Sequence, residues 1–274
     1  MATQTLELTK RTSVPSQPQR DYLSFNYDAR GELLLAWSGG DTSTYVVCEG
    51  NWQEPVQFEF QDFLFPLVQR FADGRWLVVG RRCKGTDRNA RIFSTDLDLL
   101  SEFRLDDAIE QVIVDPNDEI WVGYFDENPL GLRKFSDKGD LIYDFNASSG
   151  HNIFDLYAMD LDAEGNIWVY PYTDFYLARI SNEDVQIVIE SCPVKGARAI
   201  LVGGGHVAFF GNYNDDRVLL FDIEAQKGTW FDLTVEGEPI GRTLIATRGG
   251  TAALLWQDGI YCVTLADLIM ASKR

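Results

Sequence analysis

The chain has 274 residues, 45% hydrophobic and 13% aromatic, so it can bury a sizeable core and is not expected to be disordered. Its apolar runs, such as LLLAW at 33–37, have the length of strands, and none reaches the ~18 residues that a membrane span needs. The net charge of −18 opposes the approach of nucleic-acid phosphates and anionic membranes, and it favours basic partners.

The N-terminal segment and the cysteines indicate the compartment. MATQTLELTKRTSVPSQ lacks the apolar region of a signal peptide, so a cytoplasmic location is expected. The four cysteines, at 48, 83, 192 and 262, are widely spaced and include no C-x-x-C pair. This spacing favours free thiols over a zinc site.

A polar turn followed by an apolar strand recurs six times along the chain. The copies read DARGELLLAW (28–37), ADGRWLVVG (72–80), DPNDEIWVG (115–123), DAEGNIWVY (162–170), GGGHVAFFG (203–211) and TRGGTAALLW (247–256). The turn residues Gly31, Gly74, Asp118, Gly165, Gly205 and Gly250 are 43, 44, 47, 40 and 45 positions apart. Asp or Asn can bond its own backbone and Gly accepts positive φ, so each copy predicts a tight hairpin.

The outer half of each unit repeats as well. A variable polar loop and two further strands follow each hairpin, as in LGLRKFSDKGDLIYDF (130–145). Six units of four strands predict an all-β, six-bladed β-propeller with four-stranded antiparallel blades. Two three-bladed domains would need a linker near residue 137, where SDKGD is a turn, so we expect a single domain over residues 1–274.

The last unit lacks a fourth strand. Its strands are RTLIATR (242–248), TAALLWQ (251–257) and GIYCVTL (259–265), after which the chain nearly ends. At the other end, TQTLELTKR (3–11) alternates, with Leu6 and Leu8 on one face and Glu7 on the other. We expect this N-terminal segment to complete the last blade, because that pairing removes an exposed sheet edge.

The motifs DPNDEIWV and DAEGNIWV, followed by strands such as LGLRKF, resemble the blades of the NHL-repeat and SMP-30/gluconolactonase-like propellers. The resemblance extends over the whole chain, because the blade period repeats along it, although the last two blades lack the Asp and the Ile-Trp pair. The resembled superfamily includes lactonases, lyases and pure binding platforms. The resemblance therefore implies a fold and leaves the function open.

In a propeller the first strands converge on a central channel, and the residues eight and nine positions before each turn marker should ring its mouth. This ring is mostly apolar. The members that we predict to bind a ligand or partner are Tyr22, Phe65, Glu110, Tyr157 and Arg242. Glu110 and Arg242 should face each other from blades three and six. They either orient a charged ligand or form a solvated pair without a binding role.

The resemblance also implies catalytic possibilities. Metal-dependent hydrolases of the superfamily arrange Glu, Asn and Asp ligands around one ion, here Ca²⁺ or Mg²⁺. Only Glu110, Asn152 and Asp155 could supply such ligands, and they come from two neighbouring blades. His151 could act as a general base with Asp155 as its orienting carboxylate, since lyases of propeller fold use a channel histidine.

The loops between second and third strands, among them PYTDF (171–175) and NYNDD (212–216), combine aromatic and polar residues. Such loops are typical of a protein-binding surface, and also of variable loops in general. We therefore predict a non-enzymatic platform that binds a protein partner and needs no cofactor. The alternative is a metal-dependent small-molecule hydrolase of lactonase type, or a lyase. Nucleic-acid binding is disfavoured, although Arg81, Arg82, Lys84, Arg88 and Arg91 form a local basic patch.

Overall fold

The computed structural model describes residues 3–14, 21–38, 43–59 and 63–273, and the side chains of Asp21, Tyr22, Gln53 and Leu64 fall outside this description. Within these residues the strands form six sheets. The fold is a six-bladed β-propeller with four-stranded antiparallel blades, which confirms the prediction from the repeat.

Contacts divide the chain into two compact units, each with three blades. Unit one comprises Met1–Val14 and Tyr157–Arg274, and unit two comprises Pro15–Leu156. The boundary at Leu156 falls inside a strand, not near residue 137. The expectation of one domain over the whole chain stays a prediction.

Unit two contains blades one to three. Blade one consists of β3 (Asp21–Tyr27), β4 (Leu33–Ser38), β5 (Thr44–Cys48) and β6 (Asn51–Phe58). Blade two consists of β7 (Leu64–Arg70), β8 (Trp76–Arg82), β9 (Ala90–Phe93) and β10 (Leu99–Phe103). Blade three consists of β11 (Ile109–Val114), β12 (Ile120–Tyr124), β13 (Leu132–Phe135) and β14 (Leu141–Asp144). The short helix α1 (Phe145–Ser148) follows β14.

Unit one contains blades four to six. Blade four consists of β15 (Asp155–Leu161), β16 (Ile167–Tyr172), β17 (Leu177–Ser181) and β18 (Asp184–Ile189). Blade five consists of β19 (Ala199–Gly203), β20 (His206–Phe210), β21 (Val218–Asp222) and β22 (Lys227–Val235), and β1 (Thr3–Glu7) and β23 (Glu238–Pro239) also pair with β22. Blade six consists of β24 (Leu244–Arg248), β25 (Thr251–Trp256), β26 (Gly259–Thr264) and β2 (Lys10–Ser13).

Helix α2 (Leu265–Ser272) follows blade six. The side chain of Thr264 accepts a hydrogen bond from the backbone N–H of Asp267, and Asp267 accepts one from the backbone N–H of Thr264. This reciprocal pair satisfies backbone donors that would otherwise be free at the start of the helix. Neither helix in the described part of the chain is long and apolar enough to cross a membrane.

The N-terminal segment completes the last blade, as predicted. β2 pairs antiparallel with β26, so that Lys10 lies opposite Tyr261. The segment is not one strand, however, because β1 pairs in parallel with β22 of blade five. Leu8, between the two strands, is 6% exposed and its N–H donates to the Thr234 carbonyl at 2.8 Å. The segment therefore joins blades five and six, which alternation alone does not reveal.

The repeated turn has the predicted chemistry. All six turn residues have φ between 61° and 100°, namely Gly31, Gly74, Asp118, Gly165, Gly205 and Gly250. In blade four, Asp162 Oδ1 accepts the N–H of Glu164 at 3.1 Å and of Asn166 at 2.8 Å, and its Oδ2 accepts the Trp168 indole N–H at 2.7 Å. The carboxylate of Asp162 thus stabilises the turn and orients the indole ring of Trp168 in the strand that follows.

Candidate functional site

In unit two, Arg81 binds Glu110, one of the predicted ligand-binding residues. Arg81 Nη2 lies 2.9 Å from Glu110 Oε2, and the guanidinium also donates to the carbonyls of Ile109 and Glu110 at 2.9 and 3.0 Å. Arg81 is at the end of β8 and Glu110 at the start of β11, so the contact joins blades two and three. The sequence analysis did not identify this partner. The proposed pairing of Glu110 with Arg242, which belongs to unit one, stays a prediction.

Three carboxylates interact near this ion pair. Burial raises the pKa of Asp155, at the start of β15, to about 6, and the negative charges of Asp126 and Glu110 raise it further. Burial also raises the pKa of Glu110, although Arg81 acts in the opposite direction. The structure therefore brings Glu110 and Asp155 within electrostatic reach of each other, together with Asp126 from the loop after β12. This site is the acidic recess, defined by Glu110, Asp126 and Asp155.

The acidic recess does not form a ready-made metal site. Among the described residues, no group of three or more His, Cys, Asp or Glu side chains is arranged to hold a metal ion. The carboxylate of Glu110 is already bound by a guanidinium, so a cation would compete with Arg81 for it. The metal-binding role of the predicted set Glu110, Asn152 and Asp155 stays a prediction, and these three side chains would supply only part of the six or more oxygen ligands that Ca²⁺ or Mg²⁺ takes.

His151 lies in the loop between α1 and β15, and its side chain is exposed. Its backbone N–H donates to the Ser149 hydroxyl at 3.0 Å, and that hydroxyl donates to its carbonyl at 3.2 Å. Asn152, the next residue, is exposed as well. The role of His151 as a general base with Asp155 stays a prediction.

The basic patch of blade two is largely neutralised by acids. Arg82 lies 2.7 Å from Glu127 and Arg91 lies 2.6 Å from Glu102, measured from guanidinium nitrogen to carboxylate oxygen. Together with the Arg81–Glu110 pair, these contacts turn most of the patch into ion pairs within the protein.

In unit one, four aromatic residues form a contiguous group, here named the aromatic cluster: Tyr157, Tyr172, Phe175 and Tyr213. The rings of Tyr157 and Tyr172 are stacked, with centroids 5.7 Å apart and an interplanar angle of 14°. Phe175 meets both rings edge-on, at 5.5 and 5.6 Å. Such offset and edge-to-face contacts are favourable geometries for aromatic pairs.

The members of the aromatic cluster differ in their exposure to solvent. Phe175 is 3% exposed, whereas Tyr213 is 58% exposed. The hydroxyls of Tyr157 and Tyr213 are 2.9 Å apart and share a hydrogen bond. Gly196, with φ of 81°, lies under Tyr213, and a Cβ there would come within 2.6 Å of the ring. The exposed ring is therefore held in place from two sides.

Tyr157 is the cluster residue that the sequence analysis named as a site residue. Tyr172 and Phe175 come from the end of β16 and the loop after it, and Tyr213 from the loop after β20. The aromatic residues of these loops are visible in the sequence, in PYTDF (171–175) and NYNDD (212–216). That their rings converge depends on the loop conformations, which the sequence does not reveal.

The remaining predicted residues are Phe65, Arg242 and Tyr22. Phe65 is in β7, partly exposed, with φ of 56°. Arg242 is exposed and precedes β24. The backbone of Tyr22 belongs to β3, and its side chain is outside the described residues. Their predicted binding roles stay predictions.

Comparison with solved structures finds other propellers. Virginiamycin B lyase from Staphylococcus aureus matches with a TM-score of 0.60 and 12% identity, over 88% of this chain and 79% of the lyase chain. Regucalcin, a calcium-binding protein from Agrobacterium tumefaciens, matches with a TM-score of 0.60 and 10% identity, over 96% of this chain and 95% of that chain. PQQ-bound aldose sugar dehydrogenase from Streptomyces coelicolor matches with a TM-score of 0.55 and 11% identity, over 94% and 97%.

At these identities the likeness shows the fold alone. It agrees with the propeller architecture that the strand pairing gives. No protein-family model matches the chain, and no curated protein sequence matches it.

Proposed function

We propose that this propeller is a binding protein and that the aromatic cluster recognises a protein partner. The observation that supports this function is the exposed ring of Tyr213, which is held by the Tyr157 hydroxyl and by the contact with Gly196. Tyrosine is enriched among the residues that dominate protein interfaces, because it offers a large apolar ring and a polar hydroxyl. A ring that is already ordered loses little conformational entropy on binding.

The charge of the molecule supports a basic partner. With a net charge of −18, the protein attracts cationic surfaces and speeds their association. Close to the cluster, Asp174 is exposed in the loop that carries Phe175. A Lys or Arg of the partner can contact this carboxylate, and it can also stack on the ring of Tyr213.

Affinity capture followed by binding measurements with the purified partner tests the proposal. Tyr213→Ala is expected to weaken binding by about tenfold or more, since removal of a central aromatic anchor typically costs ~2 kcal/mol. Met270→Ala is the matched control, because Met270 is 60% exposed, close to the 58% of Tyr213, and lies outside the cluster on α2. Equal affinities for the wild type and both variants would remove the basis of the proposal.

A second candidate function is acid–base chemistry on a small molecule at the acidic recess. The supporting observation is the raised pKa of Asp155, about 6, because a carboxyl group that titrates near neutral pH can exchange a proton with a substrate. The likeness to a lyase favours a metal-free lyase as one form of this candidate, and the likeness to a calcium-binding protein favours a metal-dependent form.

Thermal unfolding with Ca²⁺, Mg²⁺ or EDTA separates the metal-dependent form of this candidate from the binding protein. An ion that binds the native state raises its melting temperature by mass action. If Ca²⁺ or Mg²⁺ binds at the recess, the increase is lost in Asp155→Asn. Without an increase in the wild type, the metal-dependent hydrolase is excluded as an explanation of the recess.

A further inference from the structure

Unit one contains a cavity of about 380 Å³ at the edge between blade four and the turn that joins β19 and β20. Trp168, Arg179, Val188 and Ile223 are among its lining residues, and His206 lies on the side of blade five. None of its lining residues belongs to the aromatic cluster, and most of them lie at or near the repeated turn, whereas the cluster is carried by loops at the other end of the strands. Its volume falls within the range of small-molecule sites.

Blade three has a cation and an acid at the position that corresponds to this cavity. There, Lys134 lies opposite Trp121 in the register of β13 and β12, and its Nζ is 5.3 Å from the centroid of the indole. Lys134 also forms an ion pair with Glu119 at 2.9 Å, and its side chain is 9% exposed. The cation of blade three is therefore paired with an acid from its own turn.

Blade four has a cation at the corresponding position, but its turn has no acid at the position of Glu119. Arg179 lies opposite Trp168, as Lys134 lies opposite Trp121. The turns DPNDEIW and DAEGNIW align so that Asn166 replaces Glu119. Within the described part of the chain, Arg179 contacts the side chain of Gln186 at 2.9 Å through Nη2, it forms no ion pair, and its Nε is buried without a partner.

The other carboxylates at the cavity do not replace the missing partner. Asp162 already accepts four hydrogen bonds, from the backbone N–H groups of Glu164 and Asn166, the Asn166 amide and the Trp168 indole. Glu164 is exposed at the rim. Among the described residues the guanidinium of Arg179 therefore has no acidic partner, and it borders an open space. A guanidinium in this situation favours a carboxylate, which it can bind through charge-assisted hydrogen bonds.

We infer that this cavity binds the carboxylate group of a small organic molecule. The carboxylate occupies the place that Glu119 takes in blade three, where it forms a charge-assisted pair with the Arg179 guanidinium. The apolar body of the ligand packs against Trp168, Val188 and Ile223. The inference is independent of the proposed protein partner, because no residue of the aromatic cluster takes part.

Benzoate is the probe that tests this site, with neutral benzamide and inorganic phosphate as comparisons. Benzoate is expected to raise the melting temperature of the wild type and to shift the indole N–H signal of Trp168 in NMR spectra. Benzamide is expected to do neither. Binding of phosphate alone, without a response to benzoate, would overturn the assignment to carboxylates.

Two variants locate the binding. Arg179→Gln removes the cation that binds the carboxylate. Asn166→Glu introduces into blade four a carboxylate at the position of Glu119, which would occupy the Arg179 guanidinium. Both variants are therefore expected to weaken benzoate binding by about tenfold or more. Asn166→Glu should also raise the melting temperature of the free protein, because it pairs Arg179 internally. This separates loss of the site from loss of folding.

Lys134→Gln in blade three is the matched control and should leave benzoate binding unchanged. Absence of any benzoate response up to millimolar concentrations overturns the inference. A response that persists in both Arg179→Gln and Asn166→Glu overturns it equally, because the ligand would then bind elsewhere.

Discussion

Asp160 Oδ2 accepts the backbone N–H of Val202 at 3.0 Å, which links the first strands of blades four and five through a completely buried carboxyl group. The Thr247 side chain on β24 also hydrogen-bonds to this group, so the contact reaches the first strand of blade six. The second oxygen, Oδ1, has no partner within the described residues. Burial raises the pKa of Asp160 to about 7 because it disfavours the charged form, and the hydrogen bonds offset this only in part.

The raised pKa of Asp160 predicts a pH-dependent stability. Between the unfolded value of 3.8 and about 7, the folded state holds the proton more tightly than the unfolded state. The contribution of Asp160 to the free energy of unfolding therefore falls as the pH rises through this window, and stays low above it. Relative to the wild type, Asp160→Asn should be more stable at pH 8 than at pH 5. Urea unfolding at both pH values measures this difference in stability.

The control Asp96→Asn changes an exposed carboxyl group, and its stability relative to the wild type should be the same at both pH values. A difference for Asp160→Asn that is equally large at pH 5 and pH 8 would contradict the raised pKa of Asp160.

Removal of residues 1–12 should lower the melting temperature sharply, because it eliminates the β1–β22 pairing and most of the β2–β26 pairing. The point variant Leu8→Ala isolates the packing contribution of the buried Leu8 and should cost about 2–5 kcal/mol. Thr9→Ala, at an exposed neighbour, should cost little. Differential scanning calorimetry compares the forms. A truncated protein as stable as the parent would refute the closing role of the segment.

Asp115→Ala should destabilise blade three by about 1–3 kcal/mol, the usual cost of leaving buried donors without an acceptor. Asp115 accepts the N–H of Asn117 at 2.8 Å and of Glu119 at 3.1 Å, and its second oxygen accepts the Trp121 indole N–H at 3.0 Å. Chemical denaturation followed by tryptophan fluorescence measures the loss. Asn117→Ala changes an exposed side chain in the same turn and serves as the comparison, which should remain close to the wild type.

Gly123→Ala should destabilise unit two because β12 has no space for a methyl group. A Cβ at Gly123 would lie 1.8 Å from Cδ2 of Leu156. Overpacking of this kind typically costs ~1–3 kcal/mol. The double variant Gly123→Ala/Leu156→Ala should recover part of the loss attributable to the clash, whereas additive losses in a double-mutant cycle would argue against direct contact. Gly241→Ala, with nothing within 4 Å, is the control.

The fold could be predicted because its signal is local. Asp162, Gly165 and Trp168 lie within seven residues, and their turn forms from their own backbone and side chains. The repetition of this local unit then determined the number of blades. The division of the N-terminal segment between two blades could not be predicted, since Leu6 and Leu8 alternate as they would in one strand and the partner β22 lies far away in sequence.

The candidate sites were predicted less completely because they depend on contacts between blades. Glu110 was identified from its position before a turn, but its partner Arg81 is 29 residues away on another blade. Tyr157 was identified by the same rule, whereas Tyr213 reaches it only through the path of a loop. The strand register shows that Arg179 corresponds to Lys134, and only this correspondence reveals that Arg179 has no acidic partner among the described residues.

The pairing of β2 with β26 also determines the order in which the protein can be completed during translation. Lys10 and Asp258, which lie beside this pairing and form an ion pair at 3.0 Å, are 248 positions apart in the chain. Because synthesis runs from the N-terminus, β2 leaves the ribosome long before β26 and stays without its partner while the intervening blades are made. A nascent chain that stalls before Gly259 therefore keeps β2 unpaired, which makes the synthesis of β26 the step at which protection by chaperones matters most for this fold.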